Sequence, residues 1–161
     1  MQFQQLYPEA VIQPVRGNVL TRLDKLDSGE YGALILAEAG LKRLGLSDRI
    51  TYRFSPEELV PAAGQGILAI QTRAGEYADL LARLNSPDGA LCAKTERQLA
   101  SLLGGDCSAP VGCHAQLHRT DMTLYGFSGS GGVPRYGSVQ GNRNDADLLV
   151  QQLASKLTIT E

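Results

Sequence analysis

Cys107 sits between the Gly104-Gly105 pair and Pro110, where a side chain would stand on a tight loop. A thiol there attacks carbon only as thiolate, which nearby cations or helix amides favour. Three arginines suggest a second chemistry. Arg16 follows the short β-rich run Val11-Ile12-Gln13-Pro14-Val15 and so falls at its carboxyl end, where open parallel sheets bind ligands. Gly17 lets backbone approach, and the next helix points its amides the same way, which marks a place for an anion. Arg22 lies in the first turns of that helix and Arg43 near the end of the next. Both are permanently charged forks suited to carboxylates.

Other uses of these residues are weaker. The spacing of Cys107, Cys113 and His114 matches no common zinc pattern, so no metal site is expected. His114 and His118 are four apart in a strand-like segment and read as two sheet histidines on one face. Cys92 and Cys113 fall within a helix and a strand, where cysteine packs as a small hydrophobe. A redox role for Cys107 lacks a resolving cysteine in a C-x-x-C pattern.

The elements that must position these residues follow from periodicity. The run 11–15, a turn at Arg16-Gly17-Asn18, Leu20, Leu23 and Leu26 at helical spacing, the apolar run Ala33 to Ala37 and a helix carrying Leu41 and Leu44 read as β-α-β-α. Short connections in that order imply parallel strands in part of a doubly wound sheet. Two such strands leave edges unpaired and an apolar face uncovered, so something upstream is expected. Gly64-Gln65-Gly66 leads into another buried-type strand, Ile67 to Ile70, then a helix with Tyr77, Leu80, Leu81 and Leu84. Ser86-Pro87 opens a helix to Leu103 whose inward stripe is Leu91, Thr95, Leu99 and Leu102, with Lys94, Glu96 and Gln98 pointing mainly away. Strands at 111–119, 122–128 and 135–140 and an amphipathic helix from Asp145 to Leu157 with Leu149, Leu153 and Leu157 complete an α+β part with an antiparallel sheet.

Composition narrows the class. Fifteen Lys and Arg against seventeen Asp and Glu give a formal charge of -2, so no long-range positive field favours nucleic acid. No apolar run reaches the roughly 18 residues that span a bilayer, and three cysteines are too few and odd for a disulfide scaffold. The expectation is a soluble cytoplasmic protein with no membrane partner.

Several short motifs occur together and in order: Arg16-Gly17-Asn18-Val19, Thr21-Arg22-Leu23, Gly29-Glu30-Tyr31, Ala39-Gly40-Leu41-Lys42-Arg43-Leu44-Gly45-Leu46, Gly64-Gln65-Gly66, Thr95-Glu96-Arg97 and Gly105-Asp106-Cys107-x-x-Pro110. On these the chain resembles the porphobilinogen deaminase (hydroxymethylbilane synthase) family, roughly its carboxy-terminal half. The resemblance implies a three-domain transferase of tetrapyrrole and haem biosynthesis. It joins four porphobilinogen molecules, with loss of ammonia, into hydroxymethylbilane on a covalent dipyrromethane cofactor. By resemblance, Cys107 matches the cofactor-bearing cysteine, Arg16 and Arg22 the arginines on cofactor carboxylates, and Arg43 one on substrate. Residues 1–60 then correspond to an incomplete second, periplasmic-binding-protein-like domain, 61–84 to the return segment of the first and 85–161 to the third. The family's general-acid aspartate has no counterpart here, so no catalytic residue is assigned and the chain alone is expected to be inactive. An alternative is a non-catalytic, cofactor-bearing half that needs an amino-terminal partner chain. Gly32 and Asp106 depart from the family pattern, and Asp106 places a negative charge beside the thiol, which opposes thiolate formation.

Overall fold

The computed structural model describes residues 1–105 and 109–158 and divides into two compact units, residues 4–54 and residues 1–3 with 55 onward. A short helix, α1 (Gln2–Leu6), crosses the boundary between them.

The first unit contains α2 (Val19–Asp27) and α3 (Glu38–Arg43). Asn18 caps α2, its side chain accepting from the Thr21 N–H at 2.9 Å and from the Thr21 hydroxyl at 3.1 Å. That satisfies amides the first turn would otherwise leave without partners. Leu23 and Leu41 are the buried side chains of the two helices, and a Cβ at Gly40 would stand 3.6 Å from Val19 Cγ2. The runs 11–15 and 33–37 lie in no ladder, and the second unit likewise pairs nothing with 67–70. The parallel sheet expected from β-α-β-α order is therefore absent among the described residues. An apolar β-type run becomes a strand only when a neighbouring strand takes its N–H and C=O groups, and these runs pair with no strand among the described residues. Many of their side chains stand open, with Val11 84% and Leu68 74% exposed.

In the second unit, α4 (Ala78–Leu84) precedes α5 (Pro87–Leu102). Ser86 caps α5 through a 3.1 Å bond from the Gly89 N–H, with Pro87 at the first helical position, as the sequence indicates. Strands β1 (Val111–His118), β2 (Asp121–Ser128) and β3 (Arg135–Asn142) form an antiparallel sheet in the order β1-β2-β3, and α6 (Ala146–Leu157) closes the chain. This is the expected α+β arrangement.

Both α5 and α6 pack on one sheet face, where Leu99, Leu103, Cys113, Met122, Leu124, Leu149, Leu153 and Leu157 form the core. Gly126 and Gly137 face each other across β2 and β3, leaving room for α6. A Cβ at Gly126 would lie 2.5 Å from Leu157 Cδ1 and 3.1 Å from Leu153 Cδ2. The stripe of α5 is shifted from the expected one. Leu103 is buried whereas Leu102 is 47% exposed, and Glu96 faces inward at 4% exposure. The helix continues the i, i+4 row from Thr95 through Leu99 to Leu103, and residue 102 falls off that row.

Candidate functional site

Arg16 is exposed, directly before the turn that starts α2. Gly17 has φ +117°, and a Cβ there would stand 2.9 Å from Thr21 Cγ2, so this turn requires glycine. Arg22 is half-buried, and its Nε donates to the Gly17 carbonyl at 2.8 Å. That bond ties the Arg22 fork to the turn carrying Arg16 and leaves its two terminal nitrogens for another acceptor. The Tyr31 hydroxyl donates to the Pro14 carbonyl at 3.2 Å, holding the 11–15 segment to the same unit. Arg43 is the last residue of α3 and is exposed.

Charge pairing separates these three from the other cations of the unit. Lys25 pairs with Glu30 at 3.0 Å, Lys42 and Arg53 both reach Glu38 at 2.8 Å, and Arg49 pairs with Asp27 at 2.5 Å. The hydrogen bonds from Arg53 and Lys42 hold the Glu38 carboxyl below the usual range, and Glu30 raises the Lys25 ammonium. Arg16, Arg22 and Arg43 make no such pair with any described carboxylate. A ligand with several carboxylates would find these guanidinium groups uncommitted.

Cys107 lies outside the described residues, as does Asp106, but the roots of their segment are described. Gly105 N–H donates to the Ala100 carbonyl at 2.8 Å as α5 ends, and the Pro110 carbonyl accepts from the Gly129 N–H at 2.9 Å. The other thiols are structural, as expected. Cys113 is fully buried, and burial pushes its thiol up to about 12. Cys92 is half-buried in α5, and burial followed by the nearby Glu96 charge raises its thiol.

Glu96 is the residue that sequence reasoning placed on the wrong side. Its Oε2 accepts from the Gly64 N–H at 2.7 Å and its Oε1 from the Ala115 N–H at 2.9 Å, with His114 Nδ1 3.4 Å from Oε1. Burial pushes its carboxyl up, but the His114 contact and the two amides outweigh that and leave it below the ordinary value. The available signal was its position one turn after Cys92 and just before Leu99, on the inner side of the helix. On the opposite sheet face, the Tyr125 hydroxyl donates to Glu57 at 2.6 Å, raising the phenol and lowering the carboxyl.

Among the described residues no cluster of three or more His, Cys, Asp or Glu could hold a metal, and no helix is long and apolar enough to cross a membrane.

Comparison with known proteins gives a consistent result across the chain. Residues 1–80 match the model "Porphobilinogen deaminase, dipyromethane cofactor binding domain" and residues 90–158 match "Porphobilinogen deaminase, C-terminal domain". Porphobilinogen deaminase of Chromobacterium violaceum is 46% identical over 97% of this chain and 52% of its own length. That of Thiobacillus denitrificans is 44% identical over 97% and 52%. That of Ruminiclostridium josui is 41% identical over 98% and 55%. The chain thus spans about half the length of the curated relatives it matches. With two consecutive domain models and relatives of this similarity aligned nearly end to end, the chain belongs to the porphobilinogen deaminase family.

Proposed function

We propose that this chain is the cofactor-holding and carboxy-terminal part of a hydroxymethylbilane synthase, which joins porphobilinogen units with release of ammonia. The observation that carries the reading is the pairing pattern: Arg16, Arg22 and Arg43 have no described carboxylate partner, while Lys25, Lys42, Arg49 and Arg53 each have one. Every pyrrole unit of this chemistry carries two carboxylates, so a site for it needs fixed positive forks, and the donor set fits a dipyrromethane group. Arg16 and Arg22 hold the acid arms of the cofactor, and Arg43 those of incoming porphobilinogen. The Arg22 fork keeps its aim because Nε is committed to Gly17.

Cys107 is the anchor. Its thiolate bonds to the electrophilic methylene carbon left when ammonia departs, giving a thioether and fixing the group for later turnovers. The raised thiols of Cys113 and Cys92 make them poor rivals for that bond. The bound dipyrromethane supplies the pyrrole carbon to which new units add.

In this reading residues 1–60 belong to the second, periplasmic-binding-like domain, 61–84 return to the first and 85–161 form the third. The runs 11–15, 33–37 and 67–70 enter parallel sheets once an amino-terminal portion supplies their neighbours. Their exposed apolar side chains also favour a second reading, in which this chain bears the cofactor and works only with an amino-terminal partner chain. The chain alone does not make hydroxymethylbilane, because the general-acid aspartate of the family belongs to that other portion.

The test is intact-mass measurement after incubation with hydroxymethylbilane or with porphobilinogen plus an amino-terminal half. The wild-type chain gains a thioether-linked pyrrole adduct, four rings from hydroxymethylbilane by loss of water or two or more from porphobilinogen by loss of ammonia, and Cys107→Ser gains none. An adduct that persists in Cys107→Ser refutes the anchor, and turnover of porphobilinogen by the purified chain alone refutes the need for the other half.

A further inference from the structure

One buried carboxylate has no part in the cofactor chemistry above. Glu96, 4% exposed, uses one oxygen on the Gly64 N–H at 2.7 Å and the other on the Ala115 N–H at 2.9 Å. Gly64 precedes it by 32 residues and Ala115 follows it by 19. An ionised carboxylate is tolerated away from water only when its lone pairs are occupied, and here two separate backbone segments occupy them.

The segment on the Gly64 side is sewn to the edge of β1. Gln2 takes both polar backbone groups of Val60, donating to its carbonyl and accepting from its N–H, each at 2.9 Å. The Cys113 N–H donates to the Pro61 carbonyl at 2.8 Å, and a Cβ at Gly112 would fall 2.7 Å from the Val60 carbonyl oxygen. Past Gly64 this stitching ends. Every residue from 65 to 80 is exposed, Ile67, Leu68 and Ile70 included, and the backbone hydrogen bonds there are local turns. The bond from Gly64 to Glu96 is the final tether before an exposed arm.

We infer that Glu96 is a clasp, a positioning residue whose carboxylate fixes the Gly64 turn against β1 and so sets where the arm of residues 65–84 leaves the α+β unit. The clasp needs two acceptor oxygens. Glutamine offers one oxygen and an NH2 group, so one of the two N–H groups would face a donor. Gly64, on the more exposed side, is the partner that lets go. Leu99, Leu124 and Leu153 pack through apolar contacts, apart from the two bonds of this carboxylate.

Amide hydrogen exchange on the full 161-residue chain tests this. In Glu96→Gln the Gly64 amide should exchange about tenfold faster or more, as expected on losing a bond to a charged acceptor, while Leu124 and Phe127 in β2 keep their wild-type rates. Glu96→Asp, shorter by one methylene, should behave the same way, and Gln98→Ala on the same helix should leave Gly64 unchanged. A second measurement needs no variant: in wild type under increasing urea, Gly64 should exchange by a local opening with little urea dependence, unlike Leu124. The clasp is overturned if Gly64 and Leu124 accelerate together, if Gly64 in Glu96→Gln keeps its wild-type rate, or if Gly64 is unprotected in wild type.

Discussion

Gly126→Ala puts a methyl group where the α+β unit has no space for one. The new carbon would lie 2.5 Å from Leu157 Cδ1, 3.1 Å from Leu153 Cδ2 and 3.3 Å from Leu99 Cδ2, and all three leucines are at most 1% exposed. None can swing to solvent. Overpacking of this kind costs about 1–3 kcal/mol, and alanine returns about 0.5–1 kcal/mol of the conformational entropy that glycine loses in a strand. The net loss is about 1–2 kcal/mol, or roughly 5–10 °C in the melting temperature of a unit this size. The chain has no tryptophan, so urea unfolding is followed by far-ultraviolet circular dichroism and tyrosine fluorescence. Leu157→Ala supplies the internal control. Alone it costs about 2–5 kcal/mol, but it removes the tightest of the three contacts, so Gly126→Ala in that background should cost markedly less than in wild type. An equal cost in both backgrounds, or a gain in stability from Gly126→Ala in the wild-type chain, would refute the packing argument.

Three further outcomes are expected. The folded Glu96 carboxyl titrates below its ordinary value, so the unfolded chain binds more protons in acid. The stability it contributes is present above the unfolded pKa of about 4.3 and is lost as pH falls through the folded value. The Gly64 amide, corrected for its intrinsic exchange rate, should therefore lose protection from about pH 6 down to pH 3 in wild type and not in Glu96→Gln, and parallel profiles would count against it. Gly17→Ala forces a side chain into a φ of +117° and against Thr21, at a cost of about 1–3 kcal/mol, read as faster exchange of the Arg22 amide that bonds to Asn18. Glu57→Gln should lower the Tyr125 phenol toward its ordinary value in an ultraviolet pH titration, and an unmoved titration would show that their 2.6 Å bond does not hold the proton.

Local signals in the sequence were read well and non-local ones were not. Ser86 with Pro87 marks the start of α5, and the leucines at 149, 153 and 157 mark the inner face of α6, because capping and helical period depend on neighbours a few residues away. The antiparallel strands were legible for the same reason, each being joined to the next by a short turn. The runs 11–15 and 33–37 show the limit: β-type composition says what would fit a sheet, and nothing about whether another backbone is there to complete it. At the site, types and spacing singled out Arg16 and Arg22, and the structure adds the Nε bond that joins their turn. Glu96 was misplaced since a charged side chain is ordinarily solvated, and only distant Gly64 and Ala115 make its burial tolerable.

The state of Cys113 has a practical consequence at the bench. Sealed under the helices and protonated throughout the neutral range, its sulfur is silent toward maleimides and iodoacetamide while the sheet stays intact. Alkylation counted before and after denaturant therefore separates loss of the fold from modification of the more accessible thiols, and one reagent can report on both.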